Sequence, residues 1–333
     1  MTASAETPDQ HLEASWRASL TRPEIESLLT MQDWRTAGSI ATNWVIIFAA
    51  FACVELWTNP LTIILALFVI GTRQLGFAVL MHEASHRSLL SDRNWNDWVG
   101  NWLCAYPIWS DLQPYRPYHL KHHARTGSPE DPDIGLVKPF PITRSSFRRK
   151  VWRDLSGQTG FKFAEAAWQR TFGQAASDPV ARSAARGFVV TNLILLAILV
   201  AWGSPALYLL WAGAWLTTHT LVTRIRSIAE HALTPDAQDP LGNTRTTVAR
   251  WWERLLIAPN RVNYHLEHHL LMTVPHYALP RMHRLLQERG VLDRACVSRG
   301  YWQVLRNATS GNSQGPTQQD DVKESELSHV NGL

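Results

Sequence analysis

The segment LTIILALFVIGTRQLGFAVLMHEASH, residues 61–86, decides the fold, because a long apolar run leads directly into a pair of histidines. Residues 61–81 approach the roughly 20 residues that an α-helix needs to cross a bilayer. A second apolar run, residues 40–57, precedes them, and only Thr58-Asn59-Pro60 stands between the two. The pair predicts a helical hairpin in a membrane, with histidines at the end of its second helix.

A matching pair of apolar runs occurs later in the chain. Residues 187–202 and 206–222 flank the turn Gly203-Ser204-Pro205, so they predict a second hairpin. Sixteen tryptophans suit a protein with membrane interfaces, where indole rings gather. We therefore expect an all-α, polytopic membrane protein, with four transmembrane helices in two hairpins and a helical cap that carries the histidine clusters.

The remaining sequence predicts one domain between two tails. Residues 21–308 hold all the apolar runs and histidine clusters, so we expect them to form a single domain. Residues 1–20 are polar and predict a flexible tail without a secretory signal. Residues 309–333 are rich in Ser, Gly, Gln, Asn and Asp, a composition typical of disorder.

Charge predicts the orientation in the membrane. The two hairpin turns carry no Lys or Arg, whereas residues 82–186 carry fifteen. Because positive residues favour the cytoplasmic side, we expect both termini, the cap and the active site to be cytoplasmic. The net charge of +4 comes from scattered residues and does not indicate nucleic-acid binding. The three isolated cysteines argue against a disulfide framework, an iron–sulfur site or a zinc ribbon.

Eight histidines form three clusters, which predict a metal site. Residues three and four apart share one face of a helix, so each cluster can direct its imidazoles at one spot. Neutral imidazole is a good ligand for iron, zinc or copper. His231 lies about two turns past the last predicted span and is a ninth candidate. The clusters are His82 and His86; His119, His122 and His123; and His265, His268 and His269.

The first cluster, His82-Glu83-Ala84-Ser85-His86, allows a second interpretation. It fits the H-E-x-x-H pattern of zinc proteases, in which the glutamate is the general base. A catalytic zinc needs only three protein ligands, which would leave most of the clustered histidines unexplained. Two metal ions account for them all. A metal transporter is a third interpretation, but it would want ligands inside the spans rather than beyond them.

With these motifs in order, the chain resembles the integral-membrane fatty acid desaturase and hydroxylase superfamily. The resemblance rests on HEASH after a membrane span, HLKHHARTGSPEDPD, and NYHLEHHLLMTVPHYALP, and it covers roughly residues 40–290. It implies two iron ions held by histidines alone, O₂ as co-substrate, and the nine histidines named above as ligands. One branch of the family has an asparagine four residues before the histidine that matches His231. Ser227 stands there in this chain.

The resemblance implies a membrane oxidoreductase that desaturates a fatty acyl or other lipid chain. Hydroxylation of an acyl chain or a carotenoid is the alternative within the superfamily. Because the chain lacks a fused haem domain and a nucleotide fingerprint, we expect an external electron donor, either ferredoxin or a cytochrome b5-like protein. Among the carboxylates beside the clusters, Asp133 and Glu267 are the preferred candidates for orienting imidazole N–H groups.

Overall fold

The structure is a computed structural model that describes residues 16–173 and 179–311. Most of these residues are helical, which confirms the predicted class, and two short strands pair in parallel. The elements are α1 (Arg22–Leu29), α2 (Asp33–Leu56), α3 (Pro60–Ser85), α4 (Arg93–Val99), α5 (Leu112–Arg125), α6 (Ile134–Val137), α7 (Arg144–Leu155), α8 (Gln158–Phe172), α9 (Pro179–Trp202), α10 (Tyr208–Leu216), α11 (Thr218–His231), β1 (Thr246–Thr247), α12 (Trp251–Leu256), α13 (His265–Leu270), α14 (Leu279–Glu288), β2 (Val297–Ser298) and α15 (Tyr301–Ala308).

Helices α2 and α3 pack against each other on either side of a three-residue connection. The side-chain oxygen of Asn59 accepts the backbone N–H groups of Leu61 and Thr62, at 3.0 and 3.2 Å. Pro60 occupies the first turn, where its missing N–H is not needed. A short polar turn thus ends one long apolar helix and begins the next.

Three of the described helices, α2, α3 and α9, are long and apolar enough to cross a membrane. Helix α3 is central, because every residue from Ile70 to His86 is buried. Helices α2 and α9 instead expose apolar side chains such as Val45, Leu193 and Ile194. Apolar surface on helices of this length is typical of contact with lipid tails.

The fourth apolar run, residues 206–222, is divided at Thr217 into α10 and α11. Thr217 departs from helical backbone angles (φ −122°, ψ −82°), and its hydroxyl donates to the carbonyl of Gly213 at 2.6 Å. Thr218 donates to the carbonyl of Leu67 on α3 at 2.5 Å. Threonine hydroxyls that bond to backbone carbonyls bend helices. Within the described residues, three helices rather than four therefore have the length and hydropathy of a span.

The remaining helices surround the C-terminal half of α3. Arg73 on α3 donates to the carbonyl of Leu255 on α12 at 2.6 Å, which ties the two helices together. Trp16 and Leu20, which the sequence assigns to a flexible tail, are buried against α1 and α14 because both side chains are large and apolar. The rest of the predicted tails, residues 1–15 and 312–333, lies outside the described residues.

Candidate metal centre

The nine predicted ligands come from four parts of the fold. The first cluster ends α3, the second lies in α5, the third lies in α13, and the ninth histidine is the last residue of α11. The imidazoles form two groups, and within each group one nitrogen of every ring lies within 4.8 Å of the others. The first group is His82, His86, His119, His123 and His268, and the second is His122, His231, His265 and His269.

The second and third clusters are each divided between the two groups, whereas the sequence suggested that each would point at one spot. In α5, His119 and His123 are four residues apart and belong to the first group, while His122 belongs to the second. In α13, His265 and His269 are four residues apart and share the second group. Because a helix turns about 100° per residue, the neighbouring histidine faces a different direction. The H-x-x-H-H spacing therefore supplies both groups from one helix.

Imidazole nitrogens from different elements converge inside each group. Nε2 of His119 lies 3.0 Å from Nε2 of His86 and 2.9 Å from Nε2 of His123. Nε2 of His265 lies 2.8 Å from Nε2 of His231. Ligand nitrogens about 2.1 Å from a metal ion, at right angles around it, are separated by about 3 Å. The spacing thus fits nitrogens that share an ion.

Burial keeps most of these rings neutral. It lowers the pKa of His86 to about 3, with a further contribution from neighbouring imidazoles. Burial likewise lowers the pKa values of His119, His231, His265 and His268 well below the usual range. A histidine must have a deprotonated nitrogen to bind a metal ion, and these imidazoles already have one at neutral pH.

His122 differs because carboxylates face its second nitrogen. Nδ1 of His122 lies 2.8 Å from Oδ1 of Asp131 and 3.6 Å from Oδ2 of Asp133. Burial lowers the pKa of His122, but the hydrogen bond to Asp131 and the two negative charges outweigh it, so the net shift is upward. A proton held on Nδ1 by Asp131 leaves Nε2 as the nitrogen that can bind a metal ion.

Glu83 and Glu230 lie behind the two groups. Oε1 of Glu83 is 3.7 Å from Nδ1 of His82, and Oε2 accepts the backbone N–H of His276 at 2.8 Å. Oε1 of Glu230 is 3.5 Å from Nδ1 of His265, and the same carboxylate pairs with Arg226 at 2.6 Å. These carboxylates therefore approach the rings from the side of the second nitrogen.

The two carboxylates preferred from the sequence have different surroundings. Asp133 accepts a hydrogen bond from the Tyr118 hydroxyl as well as lying near His122. Glu267 is fully buried, accepts from Thr246 and lies 2.5 Å from Nδ1 of His283. Glu267 thus connects α13 to β1 and α14.

Two residues without a predicted role support the histidines. The Tyr115 ring stacks on His119, with centroids 5.1 Å apart and planes 9° apart. Nε2 of His276 lies 2.9 Å from the Ser39 hydroxyl, whereas Nδ1 of the same ring faces Glu83. Tyr115 precedes His119 by four residues, a spacing that could have identified it. His276 contacts Glu83 only through the tertiary fold, so no local sequence pattern could have identified His276.

The comparisons with known proteins agree with this geometry. The family model described as fatty acid desaturase matches residues 56–300. The chain is 30% identical over 271 residues to dihydrorhizobitoxine desaturase of Bradyrhizobium elkanii, covering 75% of each chain. It is 26% identical over 276 residues to an sn-1 oleoyl-lipid 12-desaturase of Synechocystis, covering 76% of this chain and 74% of the relative. A chloroplastic omega-6 fatty acid desaturase of Brassica napus is 24% identical over 238 residues, covering 66% of this chain and 52% of that protein.

Proposed function

The chain belongs to the fatty acid desaturase family, and from that premise we propose that it desaturates a lipid chain in an O₂-dependent reaction. One –CH₂–CH₂– unit becomes –CH=CH–, while O₂, two electrons and two protons, together with the two hydrogens removed, become two molecules of water. The observation that carries the proposal is the pair of buried histidine groups, which has the donors for two metal ions. Candidate spanning helices and family membership make the protein an integral membrane oxidoreductase.

We propose iron as the metal, held by the nine histidines. Removing hydrogen from an unactivated methylene needs a redox-active ion that can use O₂, which zinc cannot supply. The residues around the site prepare it for such ions. Tyr115 holds the ring of His119 in place by stacking, and Asp131 keeps the proton of His122 on Nδ1. Six of the nine histidines are buried, which limits the access of water to the centre and so limits side reactions.

The position of Glu83 argues against the zinc protease alternative. A general base for a metal-bound water must reach the open side of the metal. Glu83 is 2% exposed, and its carboxylate faces Nδ1 of His82 and the backbone N–H of His276. Both contacts direct it away from the point where the Nε2 atoms of the first group converge. Its position suits orienting His82 better than activating water.

We propose a cytoplasmic location for the histidine end of α3, on the charge distribution described above. Three exposed arginines on α7, Arg144, Arg148 and Arg149, give that side a positive surface. Such a surface suits an acidic one-electron carrier, either ferredoxin or a cytochrome b5-like protein.

The test is mass spectrometry of total lipids from iron-supplied cells with and without the protein. We expect a species lighter by two hydrogens in cells with the wild type, because desaturation removes two hydrogens. A species heavier by one oxygen atom would instead establish a hydroxylase. His122→Ala should abolish the product while membrane insertion remains. Lys121→Ala, an exposed neighbour on the same helix, is the matched control and should keep it.

Product formation by the His122→Ala variant would contradict the proposal, because the second histidine group would then be unnecessary. The proposal would also be contradicted if wild-type protein, loaded with iron and supplied with a reductant, formed neither a desaturated nor a hydroxylated lipid.

A further inference from the structure

A cavity beside the second histidine group has a polar wall. Four of the nine histidines line it, together with residues of α5 and α11, including Tyr115, Thr223, Arg226, Ser227 and Glu230. The cavity therefore connects directly with the proposed metal ligands. A substrate that enters it comes close to the reacting centre.

Arg226 and Tyr115 place hydrogen-bond donors at this wall that have no recorded partner among the described residues. Arg226 is 7% exposed, and its Nε donates to Glu230 at 2.7 Å. A guanidinium has five N–H donors, so four remain. Tyr115 is 3% exposed, and its hydroxyl makes no recorded hydrogen bond. The Thr223 hydroxyl is enclosed without a partner, which is costly unless a ligand satisfies it. Arg226 and Tyr115 line the cavity, where a ligand can accept hydrogen bonds from them.

The space between the helical hairpins, in contrast, is filled by aromatic rings. The ring of Trp44 on α2 lies 4.8 Å from Phe77 on α3 and 5.7 Å from Trp211 on α10, centroid to centroid. Phe77 and Trp211 are 0% and 3% exposed. A long aliphatic chain would have to displace these rings to pass between the helices at this level, whereas the cavity, which also has apolar lining such as Leu136 and Phe163, already reaches the histidines.

Resting on the proposed function, we propose that the substrate carries a carboxylate, bound by Arg226 in this cavity, close to the carbon–carbon bond that is oxidised. A planar guanidinium matches a carboxylate with two parallel hydrogen bonds. The hydroxyls of Tyr115 and Ser227 add donors on the same wall. Glu230 and Asp133 also line the cavity and repel any anion, so a doubly charged phosphate fits less well than a singly charged carboxylate.

The position of Arg226 limits how far the carboxylate lies from the reaction. Oε1 of Glu230 lies 2.7 Å from Nε of Arg226 and 3.5 Å from Nδ1 of His265, so the guanidinium lies close to the second histidine group. The oxidised bond is then only a few carbon–carbon bonds from the carboxylate. The reaction remains the balanced one above: two hydrogens leave adjacent carbons, O₂ is reduced to two waters, and a one-electron carrier protein supplies the two electrons.

The experiment measures binding of hexanoate and of hexanamide, its uncharged near-isostere, to the full-length protein in nanodiscs by calorimetry. We expect hexanoate to bind wild type at least about tenfold more tightly, because only the carboxylate pairs with Arg226. Arg226→Gln should remove the preference, and Arg226→Lys should keep part of it. Arg284→Gln, on an exposed part of α14, is the matched control and should behave as wild type.

Tyr115→Phe covers the case in which the Arg226 variants do not fold, because it keeps the ring on His119 and removes only the hydroxyl. It should weaken hexanoate binding about fivefold or more and leave hexanamide binding unchanged. Equal binding of the two probes to wild type, or a preference that survives both Arg226→Lys and Tyr115→Phe undiminished, would overturn the carboxylate site.

The lipid analysis distinguishes this failure from failure of the proposed function. A desaturated mid-chain lipid without any hexanoate preference would leave the enzyme a desaturase and refute the carboxylate site. A hexanoate preference that depends on Arg226, without an oxidised product from any lipid or carboxylate supplied, would leave the binding site standing and refute the desaturase.

Discussion

Replacement of Asp131 by Asn tests whether the carboxylates behind the histidines prepare them for metal. Asp131 is 4% exposed and accepts three hydrogen bonds. Its Oδ1 accepts hydrogen bonds from Nδ1 of His122 at 2.8 Å and from the backbone N–H of Asp133 at 2.9 Å. Its Oδ2 accepts one from the backbone N–H of Gly127 at 2.9 Å. Asparagine has the same shape but only one acceptor oxygen, so its NH₂ group must face at least one of these donors.

The two orientations of the new amide predict the size of the effect. If the NH₂ group faces Gly127, one buried hydrogen bond is lost, at about 1–3 kcal/mol. If it faces His122, Nδ1 must become the acceptor, and the proton moves to Nε2, where it blocks metal binding. Both orientations remove the negative charge behind His122, so we expect the affinity for iron to fall about 10- to 100-fold, or about 1.4–2.8 kcal/mol, as for other partners of metal-bound histidines.

The assay is competition between the purified protein and a chelator of known affinity, followed by the iron retained per chain. Glu130→Gln is the matched control, because Glu130 is the adjacent acidic residue and is exposed. It should retain iron as wild type does. If Asp131→Asn retained as much iron as Glu130→Gln, the hydrogen bond from His122 to Asp131 would have no part in metal binding.

Three further substitutions, and a control for one of them, test other parts of the structure. Glu83→Gln should weaken iron binding about tenfold and reduce activity without abolishing it; complete loss of activity with iron fully retained would instead favour a general base. Gly160→Ala should destabilise the fold by about 1–3 kcal/mol, because its Cβ would lie 2.1 Å from a carbonyl oxygen of α10. Gly38→Ala, in open space on α2, should be neutral or stabilising in the same thermal unfolding assay. Burial raises the pKa of Asp97, but hydrogen bonds, first of all from Arg116, outweigh it and lower the pKa overall. Asp97→Asn should therefore destabilise the protein at pH 7 by at most about 1 kcal/mol, and the difference from wild type should disappear as the pH falls below about 4; a difference that persisted there would contradict the ion pair.

The histidine groups show how much a local pattern can predict. Spacing on a helix selected eight histidines, and position after the last predicted span added His231; the structure brings all nine together. The same spacing did not predict that His122 would leave the group of His119 and His123. The helical turn separates the directions of His122 and His123, but the group that each joins depends on where α11 and α13 lie relative to α5, which is set by tertiary packing.

Contacts between distant segments account for most of what the sequence did not predict. Asp131 reaches His122 because the chain turns back after α5, with Gly127 at a positive φ of 74°. The break at Thr217 depends on hydrogen bonds, one of them from Thr218 to Leu67, 151 residues away. Hydropathy alone records neither, so residues 206–222 look like an ordinary span.

The length of α3 has a consequence for the chemistry of substrate entry. Helix α3 rises about 33 Å from Pro60 to His82, slightly more than the roughly 30 Å of a hydrocarbon layer, so in the orientation that we propose the histidines lie outside that layer. A methylene deep in the membrane must then leave the hydrocarbon layer before it can react. Each CH₂ group that becomes exposed to water, rather than buried in the protein, raises the free energy of transfer by about 0.8 kcal/mol. A short carboxylate resides at the interface already and needs no such extraction. The rate should then depend on how a compound partitions between bilayer and water as well as on its fit to the cavity.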